Sequence, residues 1–196
     1  MIPRHLLIGT SIMLAVALGM ILYVWRMQKG VAVPEPTAYT RPVAPPAQGP
    51  TEQITLFVAW DEPGTLRAQG ARIPLPAGRQ ERADELLRAL VEIYLDKNSP
   101  HPLGAGSDIR NVYLVDPGLA VIDTNAAFAD GHRSGVLVEE LTIASLVETL
   151  AVNIPGINRV KILVDGKSRD SLAGHVDLTG FFDVSQMNQV VAQLQQ

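Results

Sequence analysis

Residues 135–166 read GVLVEELTIASLVETLAVNIPGINRVKILVDG, and two periods meet in them. Ile143, Leu146, Val147, Leu150 and Ile154 recur three and four apart, the spacing of one helix face. Leu137, Leu141 and Ala144 widen that stripe. A helix from about Gly135 to Asn153, buried more than half way round, is therefore predicted. Ser134 is its predicted N-cap, and Glu139 and Glu140 stand near the positive end of the helix dipole. Pro155-Gly156 stops it. Past the stop, Val160, Ile162 and Val164 alternate with Arg159, Lys161 and Asp165, the period of a strand with one face on the helices. A long buried helix delivered by a tight stop to such a strand is the signature of a helix layer on a sheet.

The flanking sequence extends this layer. Ile54, Leu56, Val58 and Trp60 alternate with Thr55, Phe57 and Ala59, a strand with both faces largely covered. Asp61-Glu62-Pro63-Gly64 is a turn. Two short extended pieces follow, at 65–68 and 71–75, the second confined to an edge or an end by Pro74 and Pro76. Ala83, Leu86, Leu87, Leu90 and Tyr94 place one apolar stripe on a helix from about Gln80 to Leu95, and Glu81, Arg82, Asp84, Glu85, Arg88 and Glu92 fill its other faces. Strands at 108–115 and 119–124 are joined by Asp116-Pro117-Gly118-Leu119, a type II turn. Residues 125–133 read as a loop. A last short strand is expected at His175–Leu178. A terminal helix follows, capped by Asp183 or Ser185, with Val184, Met187, Val191 and Leu194 on one side. The fold class is α/β (α+β): one mixed sheet of four or five strands with two helices packed on one face.

At the other end of the chain, Leu6 to Trp25 is a run with no charge and no proline. At about 1.5 Å per residue it spans roughly 30 Å, the thickness of a bilayer's hydrocarbon core. A single membrane-spanning helix is expected, with Tyr23 and Trp25 as interfacial aromatics. The run exceeds the apolar region of a signal peptide, and no small-x-small cleavage site is evident. Arg4 on one side and Arg26 and Lys29 on the other leave orientation nearly balanced. Pro34, Pro36, Pro42, Pro45, Pro46 and Pro50 then make a semi-rigid spacer. The expected organisation is an anchor at 1–29, a linker at 30–52 and a domain at 53–196.

Composition excludes several functions. The 196 residues contain no cysteine, so disulfides, thiol catalysis, thiolate metal sites and a lipidated cysteine are ruled out. Residues 1–52 carry four Lys or Arg against Glu35 and Glu52, while the remainder carries 12 against 18 acidic residues. Phosphate and anionic lipid repel such an acidic domain, and nucleic-acid binding is not expected.

Several pieces resemble the GerMN domain family of membrane-attached sporulation and spore-germination proteins of the GerM type. They are ITLFVAW at 54–60, the Asp-Pro-Gly hairpin ending in Val121-Ile122-Asp123, Glu140-Leu141, Thr149-Leu150, Pro155-Gly156, Val164-Asp165-Gly166 and Leu172-Ala173-Gly174-His175-Val176-Asp177-Leu178. Their order and spacing hold over roughly 53–180. As structural family positions the resemblance marks Thr149, Leu150, Pro155, Gly156, Asp165, Gly166, Gly174, His175 and Asp177. It implies a domain outside the cytoplasmic membrane, related in fold to the ring-building modules of spore envelope assemblies. GerM-type proteins can be lipoproteins with paired domains; this chain lacks the cysteine and has room for one copy.

Candidate chemistry is sparse. Asp130, His132 and Ser134 alternate in one loop, but triads are built from separated elements, and no G-x-S-x-G elbow exists. His175 and Asp177 share a face and, with Asp165, invite a metal, yet no further ligand is evident; a hydrogen-bonded histidine is preferred. His101, between two prolines, is read as a loop residue without chemistry. Glu140 and Glu148 are expected to pair with Arg110, Arg133 or Arg159, locking helix to sheet, or to form a polar binding edge. No catalytic residue, cofactor or metal is assigned. The expected protein is a non-enzymatic envelope subunit or scaffold, partnered by envelope proteins or by itself. The alternative is a binding module for peptidoglycan or another small envelope ligand.

Overall fold

The computed structural model describes residues 13–14, 16–20, 50–115 and 117–194. The chain divides into two compact units, Met1–Pro42 and Val43–Gln196. In the first, Met13, Leu14, Val16, Leu18 and Met20 are helical and exposed. No helix among the described residues is long and apolar enough to cross a membrane. The expected span at Leu6–Trp25 and the proline-rich linker lie largely outside the described residues.

The second unit is a mixed α+β domain. Its strands are β1 (Thr51–Trp60), β2 (Thr65–Pro74), β3 (Ile109–Val115), β4 (Leu119–Thr124), β5 (Arg159–Val164) and β6 (Phe182–Asp183). Its helices are α1 (Arg79–Leu95), α2 (Ala126–Asp130), α3 (Val136–Asn153) and α4 (Val184–Leu194). The expected single sheet is two. β1 and β2 form an antiparallel hairpin alone, and β3-β4-β5-β6 form a mixed sheet in which only β4 and β5 run parallel.

The reason β1 does not join the larger sheet is visible on its outer edge. Thr55 N–H donates to Asn153 Oδ1 at 3.1 Å, Phe57 N–H to Thr149 Oγ1 at 3.0 Å and Ala59 N–H to the Tyr94 hydroxyl at 2.9 Å. Asn153 Nδ2 returns a bond to Thr55 O at 2.7 Å. Side chains of α3 and α1 thus occupy the edge where another strand would pair. The edge of β3 is treated alike, Val112 N–H donating to Asp84 Oδ1 on α1.

Val112, Ala120, Ile122, Val160 and Ile162 point from the mixed sheet into one core with Leu86, Leu87 and Leu90 of α1 and Leu146 and Leu150 of α3. The alternate residues point outward. There Tyr113 is 43% and Val115 47% exposed, and Leu119, Val121 and Leu163 are partly exposed.

Other local expectations need correction. The two extended pieces after Gly64 are one continuous strand, β2. The loop at 125–133 contains α2, because Asn125 Oδ1 caps it by accepting from Phe128 N–H at 3.0 Å. Gly135, not Ser134, occupies the N-cap of α3. The expected strand at 175–178 retains one bridge, Ser171 to Asp177. Leu137 is exposed rather than part of the stripe. The β3–β4 hairpin is as expected, with Gly118 at φ +80° at the turn position that favours glycine; Asp116 lies outside the described residues.

Thr149→Val keeps the shape of the side chain and leaves Phe57 N–H without its acceptor. It is expected to cost about 1–3 kcal/mol in denaturant unfolding, whereas Thr149→Ser should cost far less. A loss for Thr149→Ser as large as that for Thr149→Val would show that the hydroxyl's bond to Phe57 N–H is not what sets the cost.

Candidate functional site

The first turn of α3 meets the segment 173–177. Glu139 is fully buried there. Its Oε2 accepts N–H bonds from Ala173 (3.1 Å), His175 (3.1 Å) and Val176 (2.9 Å), and its Oε1 lies 2.9 Å from His175 Nδ1. Gly135 N–H, 3.3 Å from Oε1, adds a fifth donor. Burial alone would raise the carboxyl's pKa; these bonds overcome it and hold the group down at about 2. Glu139 is therefore a carboxylate at neutral pH. It takes the N–H groups a strand at 175–178 would have used, which is why that strand does not form.

A cation holds the other end of the same segment. Lys161 Nζ on β5 donates to the carbonyls of Leu178 (2.6 Å), Thr179 (2.7 Å) and Gly180 (3.2 Å). Between the two clamps stand His175 and Asp177. Asp177 Oδ1 accepts from both the N–H (2.7 Å) and the hydroxyl (2.6 Å) of Thr179, which lowers its pKa. Beside them opens a cavity of about 360 Å³ between the start of α3, this segment, β6 and α4. Its walls are Ile143, Val176, Phe182, Met187 and Val190, and Glu140, His175 and Asp177 line it as well.

The loop residues that suggested a triad go separate ways. Asp130 pairs with Arg169 at 2.6 Å. His132 Nε2 lies 2.7 Å from Thr142 Oγ1, and its Nδ1 lies 2.7 Å from Arg133 O. Ser134 Oγ sits 3.3 Å from His175 Nδ1, the ring nitrogen already engaged by Glu139. His101 lies in a loop and is fully buried. Its Nδ1 lies 2.6 Å from Asp61 Oδ1, its Nε2 2.6 Å from Thr142 Oγ1, and its ring meets Tyr94 edge-on. Burial pushes its pKa down to about 4, and Asp61 is already paired with Arg133.

The structure distributes the remaining family positions through the frame. Leu150 is in the core. Pro155 O accepts from Arg79 Nη2 at 2.6 Å. Asp165 pairs with Arg110 at 3.0 Å and Gly166 N–H donates to Asp123 Oδ1 at 2.7 Å. Asp165 and Gly166 both have positive φ in a two-residue turn closed by reciprocal Val164–Lys167 bonds, the Asp-Gly hairpin type. Gly174 also has positive φ and borders Ser134.

Asp165 is thus tied to Arg110, away from the His175 segment, and the described residues hold no group of three or more His, Asp or Glu able to bind a metal. The expected locks by Glu140 and Glu148 are absent among the described residues: Arg133 serves Asp61, Arg110 serves Asp165, and Arg159 stacks on Phe181. Glu148 is buried with Oε1 unpaired, and burial raises its pKa. The polar hubs are Glu139, expected only to complement the helix dipole, and Thr142; their signal is a polar residue on the buried side of α3.

Glu139→Gln should destabilise the domain, at about 1–3 kcal/mol for each N–H left without an acceptor. The folded pKa of about 2 lies below the unfolded value of 4.5, so this stability is fully present above about pH 4.5. It is lost as pH falls toward 2. The gap between the wild type and Glu139→Gln in urea unfolding should therefore narrow from pH 6 to pH 2.5. A constant gap would mean that the charge contributes nothing.

A search of curated proteins finds no match to the chain. Among solved structures, the chain is similar to the tandem GerMN domains of the sporulation protein GerM from Bacillus subtilis. The identity is 18%, the match covers 70% of this chain and 48% of that one, and the TM-score is 0.53. The first GerMN domain of that protein aligns at 20% identity over 66% of this chain and 95% of that one, TM-score 0.49. A proposed lipoprotein from Clostridium perfringens aligns at 21% identity over 79% and 98%, TM-score 0.48. The tandem structure supports the fold. The family model for sporulation and spore germination, Germane, matches residues 56–170. That match spans more than half of the sequence, and the chain belongs to the Germane family of sporulation and spore germination domains.

Proposed function

We propose that this protein is a membrane-anchored, non-enzymatic envelope protein whose α+β domain lies outside the cytoplasmic membrane and acts as an assembly or scaffold subunit. The observation that carries the reading is the outward face of the mixed sheet. On it Tyr113 lies opposite Val121 and Val115 opposite Leu119, all at least partly exposed, and Arg159 and Lys161 border them on β5 over exposed Phe181. Contiguous apolar surface of this kind marks interaction sites. The uncharged run Leu6–Trp25 and the proline-rich spacer support tethering, which raises the effective concentration for like-tethered partners. The Germane description and the role named for GerM support a process in sporulation or germination. The non-enzymatic reading is supported by the engagement of Asp130, His132 and Ser134 in structural contacts.

The cavity beside His175 supports a second reading, a binding module for peptidoglycan or another small envelope ligand.

The experiment is crosslinking of the full-length protein in its native membrane, wild type against Tyr113→Glu and Val115→Lys. Charges on the open face should abolish crosslinked oligomers or partner adducts and shift the melting temperature little. Unchanged adducts would remove the sheet face from consideration. A reporter fused after Gln196 should be active only outside the cytoplasmic membrane; activity in the cytoplasm would reverse the orientation.

A further inference from the structure

The cavity between α3, α4 and the clamped segment has a one-sided polar inventory. Glu139 fixes the state of His175: a carboxylate only accepts, so the proton of the 2.9 Å contact sits on Nδ1. The opposite ring edge carries Nε2, which in the neutral imidazole is a hydrogen-bond acceptor. Asp177 commits Oδ1 to Thr179 and leaves Oδ2 without a bond among the described residues. Glu140 has no ion pair among the described residues, although an arginine partner was expected for it. No lysine or arginine lines the cavity. Lys161 is the cation whose field reaches Asp177, and its ammonium is surrounded by three backbone carbonyls. Two of the three polar side chains lining the cavity are carboxylates, which only accept, and the rest of the lining is an aliphatic and aromatic wall.

We infer that this cavity binds a primary ammonium carried on a short aliphatic chain, with the alkyl stem on Ile143, Met187 and Val190 and the ammonium at the carboxylate side of the lining, Glu140 and Asp177. An ammonium has three donors and no acceptor, which matches carboxylates. An anion of the same size would meet two carboxylates. The chemistry has two natural sources, a free amine and a lysine-type side chain of a larger ligand. The inference rests on the second reading above, which supplies the cavity as a binding site, and adds the class of ligand.

The test is binding to the full-length protein, by calorimetry or ligand-observed NMR, of n-butylammonium, n-butyrate and the capped peptide acetyl-Ala-Lys-Ala-amide. At least one of the two cations should bind ten or more times tighter than butyrate. Glu140→Gln should cut that preference severalfold, and Val190→Trp, which fills the wall, should abolish binding of every probe without loss of the folded spectrum. Should Val190→Trp unfold the protein, Met187→Trp takes its place. Tighter binding of butylammonium points to a free amine, and tighter binding of the peptide to a side chain. Butyrate binding as well as the cations would overturn the ligand class and leave the cavity as a binding site. Cation binding that survives both Glu140→Gln and the tryptophan variant, or no binding of any probe at millimolar concentration, would overturn the site itself.

Discussion

The interior of this domain is organised by a requirement of the backbone: every buried N–H needs an acceptor. Two segments cannot meet it by pairing with a neighbouring strand, the outer edge of β1 and the turn-rich stretch 173–176. α3 serves both, and its Thr142 hydroxyl also meets the ring nitrogens of His101 and His132. Glu139, Thr142, Thr149 and Asn153 lie at spacings of three, seven and four, so they form one polar stripe on a helix whose residues 141–150 are all buried. Glu139 takes the N–H groups at 173–176, Thr142 stands between the two histidines, and Thr149 and Asn153 replace a strand along β1. Remove the stripe and the apolar contacts remain, but two buried backbone segments and two histidine rings lose partners at once.

This stripe explains what the sequence did and did not reveal. Apolar periodicity located the helices and strands because Leu86, Leu90, Leu146, Leu150, Val160 and Ile162 each repeat with the period of their element. The Asp-Pro-Gly turn located the β3–β4 hairpin because proline and glycine restrict their own dihedrals. Sheet membership was not legible. Whether ITLFVAW joins the larger sheet depends on Thr149, about ninety residues away, reaching Phe57 N–H. No local pattern encodes that. The strand expected at His175–Leu178 failed for the same reason: alternation is necessary for a strand, but Glu139 had already taken the donors.

The candidate site was legible only as a family motif. Gly174, His175 and Asp177 stood out as a recognisable run, but their partner Glu139 was read as a dipole-complementing residue in a first helical turn, the ordinary role of a glutamate there. A different clue was available. Glu139 lies one turn from Thr142 and Ile143 on the buried side of the helix, and a glutamate there needs buried donors. His101 follows the same logic in reverse. Two flanking prolines mark a loop but not its burial, and the ring turns inward where Asp61 and Thr142 meet its two nitrogens.

The geometry of 173–180 also bears on how well a site there could discriminate. An isolated loop must be ordered when it binds, which subtracts from affinity. Here the N–H groups of Ala173, His175 and Val176 converge on an anion from the core, and the carbonyls of Leu178, Thr179 and Gly180 converge on a cation from the opposite side of the sheet. Charge-assisted bonds of this kind are roughly twice as strong as neutral ones. The clamps use opposite backbone groups, so they do not compete, and together they fix the segment at both ends. His175 and Asp177 lie between them on a stretch whose backbone is already arranged, facing a wall built by α3 and α4. Those two side chains owe their orientation to Glu139 and Thr179, so the cavity's polar rim is set before any ligand arrives.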